Sequence, residues 1–409
     1  MQRGDHRRSL EDEPRFSRDG PAAGVYSSAP EELLHDFANP RRARAQAPGR
    51  VNLIGEHTDY NGGLVMPVAI PRRTRVELTL RGGRTAKIRS EAFPGDGALE
   101  YEIGEETPGR GWLDYVQGIT WALAREGIAV PGFEARIAST VPPGSGLASS
   151  ASLEVALLRA LRELLGLSLS GLEIARMAHR AETAFVGAPV GVMDPMACSL
   201  GTESAAMRID TRTLDIEFVA LPAPLELGVL DSGVRHSHAA GEYRVRRAEC
   251  EEAARRLGVE SLRELEGSPS AAWEKLPDPL PRRVRHVLAE NERVLRTVEA
   301  LRAGEIASLA DLFEASHRSL RDDFEVSIPE LDLLVELARA EKEILGARMT
   351  GGGFGGSVVI LGRAGETLDA ARRILRAYRN RTGRAGEVLL PLDPDRAVGP
   401  AEGLPSGLS

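Results

Sequence analysis

The sequence predicts a two-domain chain that mixes α and β structure. Three observations predict it. A length of 409 residues, 42% of them hydrophobic, is more core-forming material than one domain needs. Short apolar runs of strand length alternate with amphipathic stretches of helix length. Proline recurs between strand-like runs from Thr211 to Pro224, which sets a boundary between segments 26–215 and 216–409.

The elements follow in chain order. Residues 1–25 are polar and mixed in charge, without the apolar core of a signal peptide, and are expected to form a poorly ordered tail. Residues 63–70 and 75–80 read as strands, 112–126 as an amphipathic helix and 135–141 as a strand. A Pro142–Gly146 loop then opens a helix that runs to about Leu165, and a further helix covers about 172–185. Residues 238–257 and 328–345 read as helices, the latter stopping before Gly346, and 357–361 as a strand after a glycine run. No internal repeat or low-complexity linker interrupts this order.

Charge and cysteine usage narrow the function. Lys and Arg number 52 against 60 Asp and Glu, a formal net charge of -8. That balance argues against nucleic acid or an anionic membrane as partner, since both need clustered cations. No apolar stretch approaches the roughly 20 residues that span a bilayer. Cys198 and Cys250 are too few for a disulfide framework or a four-cysteine zinc site, which fits a reducing, cytoplasmic setting. His236 and His238 form an H-x-H pair that no acidic or cysteine cluster completes. Cys198 and Cys250 are expected to be reduced packing or surface residues.

Four segments carry candidate chemistry. Ala47–Gly63 (APGRVNLIGEHTDYNGG) sets Arg50, Glu56, His57, Asp59 and Tyr60 among glycines, the donors and acceptors a small polyhydroxyl ligand needs. Pro142–Ser152 (PPGSGLASSAS) follows a strand and opens a helix, whose unpaired N–H groups and dipole suit a phosphate. It lacks the Gly-Lys-Ser/Thr ending of a Walker loop. An ordinary serine-capped helix gives the same pattern. Met349–Gly356 (MTGGGFGG) has more glycines than a helix-to-strand turn requires, so close packing on a ligand or another backbone is expected. Asp194, in Gly187–Met196 (GAPVGVMDPM), is a lone carboxylate among small and apolar residues.

With these segments in this order the chain resembles the GHMP family of small-molecule kinases, in its galactokinase branch. Gly49–Gly63 is similar to the galactokinase signature, Val141–Val155 to the family's ATP-phosphate loop, and Met349–Ser357 to its third motif. Gly241–Arg247 and residues 316–334 agree as well, so the resemblance runs from about residue 30 to about 395. It implies an α+β protein, with a ribosomal-S5-like α/β domain, a ferredoxin-like α+β domain and the active site in the cleft between them. The implied reaction is ATP-dependent phosphorylation of galactose at its anomeric hydroxyl.

By that resemblance Asp194 would be the catalytic carboxylate beside the sugar's C1 hydroxyl, and Arg50 would hold it ionised and stabilise the transferring phosphoryl group. Glu56, His57, Thr58, Asp59 and Tyr243 would contact the sugar, with Thr58 and Asn61-Gly62-Gly63 favouring plain galactose. Gly144, Ser145, Gly146, Leu147, Ala148, Ser149 and Ser150 would bind the ATP phosphates. Ser150 and Glu182 would be Mg2+ ligands, Glu182 lying twelve residues before Asp194 as in the family. A cytoplasmic monomer with ATP and galactose as its small-molecule partners is implied.

One departure leaves alternatives open. Galactokinases commonly carry Cys-Gly-Ile-Met-Asp-Gln where this chain has Val190-Gly-Val-Met-Asp-Pro195, and proline removes an amide side chain and a backbone N–H. A kinase for N-acetylgalactosamine, arabinose or a uronic acid is the nearest alternative. A non-catalytic galactose and ATP sensor is another, although Ser150-Ala151, Arg50 and Asp194 are all present. An RNA-binding use of the S5-like fold conflicts with the acidic balance.

Overall fold

The computed structural model describes residues 41–235 and 239–392. The expected tail and the H-x-H pair lie outside these residues. The chain runs β1 (Arg42–Asn52), β2 (Leu64–Val65), β3 (Pro67–Leu80), β4 (Thr85–Ser90), β5 (Ala98–Glu102), α1 (Leu113–Arg125), β6 (Phe133–Ser139), α2 (Ser149–Leu165), α3 (Gly171–Arg180) and α4 (Met193–Leu200). It continues through β7 (Ala205–Asp210), β8 (Ile216–Ala220), β9 (Leu225–Asp231), α5 (Ala239–Leu257), α6 (Leu280–Ala303), α7 (Ile306–Asp322), α8 (Pro329–Arg339), β10 (Ile344–Thr350), β11 (Ser357–Arg363), α9 (Thr367–Thr382) and β12 (Glu387–Leu390).

The first half is a five-stranded sheet in the order β1-β3-β6-β4-β5, with only β4 and β6 parallel. Its apolar face, including Val76, Leu78, Ile88 and Phe133, packs on α1, α2 and α3 through residues such as Ile119, Leu157 and Ile174. The two strand-like runs at 63–70 and 75–80 are mostly one strand. β3 is buried on both faces at Pro67–Ile70 and alternates only from Thr74 to Leu78, which is why its pattern breaks in the sequence.

The second half holds a four-stranded antiparallel sheet, β10-β11-β9-β12. Numbered within that half the order is 2-3-1-4, and β9–helices–β10–β11–α9–β12 is the β-α-β-β-α-β path of a ferredoxin-like domain, with four helices in the first crossover. A smaller sheet, β2-β7-β8, flanks the first half. β8 therefore pairs with a strand that precedes the expected 215/216 boundary, and the chain enters the four-stranded sheet only at Leu225. A third apolar cluster joins the halves, uniting Val51, Leu53 and Met66 with Val229, Val294, Phe313 and Val359.

The helix expected over 328–345 ends at Arg339. Ile344–Thr350 instead forms β10, because its residues pair antiparallel with β11 and are nearly all buried there. Sheet pairing outweighs the helical spacing of a short apolar run. The second glycine run accordingly links two strands and not a helix to a strand.

Candidate active site

The cleft between the halves is a cavity of about 270 Å³, lined on one side by Arg50, Asp59, Asp194 and the Gly144–Ser150 loop. His57, Tyr243, Gly351 and Gly352 line the other. Five separate segments meet here, and each is positioned by its local structure.

Arg50 follows a register shift in β1 between Pro48 and Arg50, the kind of bulge that re-aims a side chain. Gly49 makes the approach possible, since a Cβ there would fall 2.7 Å from the Leu147 carbonyl oxygen. The Arg50 backbone N–H donates to that same carbonyl (3.1 Å), which pins the phosphate-type loop to β1. The buried guanidinium forks onto Asp194, Nε to Oδ1 at 2.7 Å and Nη2 to Oδ2 at 2.6 Å, and donates through Nη1 to the Gly146 carbonyl. Burial works against the Arg50 charge, but Asp194 more than offsets it and the pKa is raised.

Asp194 sits in the first turn of α4, where the helix N-terminus favours a carboxylate. Pro195, next in the same turn, is buried and does not line the cavity. A helix leaves its first N–H groups unpaired, so proline here removes a donor the helix does not use.

Asp59, in a 3-10 turn (Asp59–Asn61), completes an acidic pair with Asp194. Burial first, and then the Asp194 charge, push its carboxyl up to about 6. A Cβ on Gly191 would lie 1.9 Å from Asp59 Oδ2, so only glycine leaves this carboxylate its place.

His57 has a left-handed backbone (φ 62°). Its Nε2 lies 3.2 Å from the Gly352 carbonyl oxygen, so that nitrogen carries the proton, and Nδ1 accepts from Tyr60 Oη at 2.8 Å. Burial lowers its pKa to about 3, leaving a neutral ring packed on Tyr243 and Phe324 at centroid distances of 5.2 and 4.7 Å. Gly352 gives Tyr243 its place, because a Cβ would stand 3.2 Å from the phenol ring.

Glu56 is a clamp more than an open ligand. One oxygen accepts from Thr350 Oγ1 and the Gly351 N–H, both at 3.0 Å, and the other from buried Arg348. Arg348 also donates to the Leu53 carbonyl (3.1 Å) and to Ser316 Oγ (3.1 Å). Glu290 takes the Gly55 N–H (3.0 Å), Ser316 Oγ (2.7 Å) and Arg293 Nε (2.7 Å). Burial pushes Glu56 up, and Arg348 does not fully offset it. For Glu290 burial is outweighed by Arg293 and Arg348, which bring it down to about 2. This buried network ties the first motif to the third.

The Gly144–Ser150 loop opens α2. Gly144, Gly146 and Ala148 are left-handed, Ala148 (φ 59°) being the residue before the helix. Ser149 and Ser150 face the cavity. Ser150 Oγ donates to Glu182 Oε1 at 2.8 Å. Glu182 stands on a π-helical turn, Ala181–Val186, that continues α3. Such turns recur at functional sites. Burial raises its carboxyl to about 7. One helical turn beyond Ser150, Glu154 is fully buried with both oxygens unpaired, and burial and then Glu182 hold its carboxyl well above the usual range.

Two expected ligands are turned away. Thr58 is fully buried, its hydroxyl lying 2.7 Å from the Leu64 carbonyl and 2.9 Å from that of Gly55, so it shapes its own loop without facing the cavity. Ser145 is also buried, donating to the Pro142 carbonyl (2.7 Å), while its own carbonyl accepts from Ser357 Oγ (2.8 Å). It braces one glycine loop on the other. Both cysteines are buried and free, so they are packing residues and not surface ones.

Sequence reasoning missed Arg348, Glu290, Gly191, Glu154 and Arg235. Arg235 pairs with Asp231 and stands 3.3 Å from where a Gly144 Cβ would be, beside the phosphate-type loop. Of these only Glu154 had a sequence signal, its i+4 spacing from Ser150 on one helix face. The others depend on contacts between segments far apart in the chain, across the two halves for Arg348, Glu290 and Arg235 and within the first half for Gly191.

Comparison with known proteins agrees with this geometry. Residues 114–202 match the model of the GHMP kinases N terminal domain and residues 297–384 that of the GHMP kinases C terminal domain. A mevalonate kinase from L. major shares the fold, with a TM-score of 0.60 at 22% identity over 83% of this chain and 94% of that one. The class is therefore GHMP kinase, whose members use ATP as substrate. Residues 34–79 match the galactokinase galactose-binding signature. The galactokinase of Streptomyces coelicolor is 45% identical over 77% of this chain and 83% of its own length. That of Chloroflexus aurantiacus is 43% identical over 85% and 91%. The structure of Lactococcus lactis galactokinase complexed with galactose superposes with a TM-score of 0.82 at 33% identity, covering 88% of this chain and 95% of that one. Within the GHMP kinases the chain belongs to the galactokinase family.

Proposed function

We propose that the cleft transfers the γ-phosphoryl group of ATP to the C1 hydroxyl of galactose, giving galactose 1-phosphate and ADP. The observation that carries this reading is the Arg50–Asp194 fork at the meeting point of the sugar loop and the phosphate-type loop. Asp194 orients the C1 hydroxyl and accepts its proton as the new O–P bond forms and the γ-phosphoryl bond to ADP breaks. Arg50 fixes that carboxylate and lies beside the transferring group. Asp59, neutral His57 and Tyr243 are placed to hydrogen-bond and pack on the sugar, and Glu56 holds their loop. Ala148, Ser149 and Ser150, at the N-terminus of the 17-residue helix α2, suit the ATP phosphates.

The donors beside that loop fit Mg2+. Ser150 hydroxyl and Glu182 carboxylate are adjacent hard oxygens, and magnesium typically takes one or two such protein ligands together with substrate phosphates. When bound, the cation would neutralise charge on the β- and γ-phosphates. Two free cysteines support a cytoplasmic setting, and among the described residues no helix is long and apolar enough to cross a membrane.

ADP release with Mg-ATP and a panel of sugars tests this reading, with Asp194→Asn alongside. Galactose should turn over best, and the variant should lose about 10²–10⁴-fold in kcat. Turnover of another sugar in preference would overturn the galactose assignment, and an active Asp194→Asn would overturn the role of the carboxylate. Galactose and ATP binding without turnover would favour a sensor.

A further inference from the structure

Glu154 has no part in the mechanism above, and its position is expensive. It is fully buried, and among the described buried side chains it is the one carboxyl with neither oxygen hydrogen-bonded. A buried polar group without a partner destabilises a fold unless something else satisfies it. The surrounding core offers apolar alternatives in plenty, since Leu157, Leu158 and Leu161 lie on the same helix. A leucine at position 154 would be the simpler core residue.

Its placement suggests what it serves. Glu154 is four residues after Ser150 on α2, so both side chains project from one helix face. Ser150 is bonded to Glu182, and the Glu182 charge is felt at the Glu154 carboxyl. Tyr115, on α1, feels both carboxyls. One helical turn is about 5.4 Å. A metal–oxygen distance of about 2.1 Å plus a hydrogen bond of about 2.7 Å gives nearly the same reach. Magnesium usually retains several waters.

We propose that Glu154 is a positioning residue of the cation site, accepting a hydrogen bond from a water held by the divalent cation that Ser150 and Glu182 bind. This rests on the assignment of Ser150 and Glu182 as the cation ligands. The unpaired carboxyl of Glu154 then has a partner in the loaded enzyme, and a water of the cation gains a protein acceptor. Glu154 touches neither sugar nor phosphate.

The test is the gain in ADP affinity that Mn2+ confers, read by calorimetry as the Kd for ADP in EDTA divided by the Kd with Mn2+. Glu154→Gln and Glu154→Leu should each cut that ratio about tenfold, the effect typical of losing a group that holds a metal's ligands. Their ADP affinity in EDTA should match wild type. Glu182→Gln and Ser150→Ala are the controls. If these cut the ratio and both Glu154 variants leave it unchanged, the role of Glu154 is overturned while the cation site stands. If the controls also leave it unchanged, the underlying assignment has failed. The leucine variant answers the question should glutamine fail to fold, because it removes the unpaired polar atoms from the core altogether. Failure of both to fold would assign Glu154 to the fold alone and overturn the proposal.

Discussion

Replacing Arg348 with methionine should unfold this protein well before wild type, although Arg348 does not line the cavity. Its guanidinium is fully buried and serves Glu56, Ser316 and two backbone carbonyls. Methionine keeps most of the volume and removes the charge. Glu290 keeps Arg293 and Ser316, so one buried carboxylate, Glu56, is left without its cation. Removing one partner of a buried pair costs about 3–5 kcal/mol. At about 2–4 °C per kcal/mol for domains of this size, the melting temperature should fall by roughly 10 °C. Scanning calorimetry of Arg348→Met, Glu56→Gln and the double variant measures it. Glutamine can still accept from Thr350 and Gly351, so the double variant should melt above Arg348→Met, with a coupling of about 1–3 kcal/mol. Additive effects, or an Arg348→Met within 2 °C of wild type by roughly the same scale, would refute the clamp.

Two further outcomes are expected. Gly191→Ala should raise the galactose KM at least about tenfold while leaving the ATP KM nearly unchanged, because its Cβ displaces the Asp59 carboxylate; unchanged sugar kinetics would count against Asp59 as a ligand. Asp59→Asn should weaken galactose binding yet melt higher than wild type at pH 8. With a pKa near 6 in the folded state against an ordinary 3.8, Asp59 contributes stability that is full at low pH and lost as pH rises through about 6. The variant lacks that loss, so its advantage should shrink toward pH 5, and an advantage equal at both pH values would show the shift to be absent.

The local features of the site were legible in the sequence because each is written in consecutive residues. Glycine and serine before a helix announced the Gly144–Ser150 loop, and the polar run at 50–60 announced a ligand. Thr58 and Ser145 were misjudged for one shared reason. Both belong to motifs whose backbone faces the ligand, and their hydroxyls are short enough to turn back onto nearby carbonyls. Sequence position does not show which way such a side chain points. Arg348 and Glu290 were illegible for a different reason. Their partners lie 292 and 235 residues away, at Glu56 and Gly55, so the network exists only once the two halves pack. The helix expected to run to 345 failed similarly, since the strand partner that claims Ile344–Thr350 comes later in the chain.

Five non-glycine residues with left-handed backbones occur among the described residues, and His57, Ala148 and Phe354 belong to the three motifs around the cleft. Such conformations cost on the order of 1–3 kcal/mol each and persist only where the surroundings over-determine them. Here the restraints are all internal. His57 is held by Tyr60 and Gly352, the Ala148 carbonyl accepts from Ser152 N–H at 3.0 Å, and Phe354 N–H donates to Val326 at 2.8 Å. Gly353 keeps that last contact close, as a Cβ there would fall 2.4 Å from the Val326 carbonyl oxygen. No ligand is needed to hold these three backbones, so the sugar and phosphate sides of the cleft are shaped before either substrate arrives. Binding then orders little protein, and more of each substrate's interaction energy remains for aligning the C1 hydroxyl with the phosphoryl group. The buried Glu56–Arg348 pair belongs to the same design. It locks the first motif to the third at the point where loosening would release His57, Gly352 and Tyr243 together.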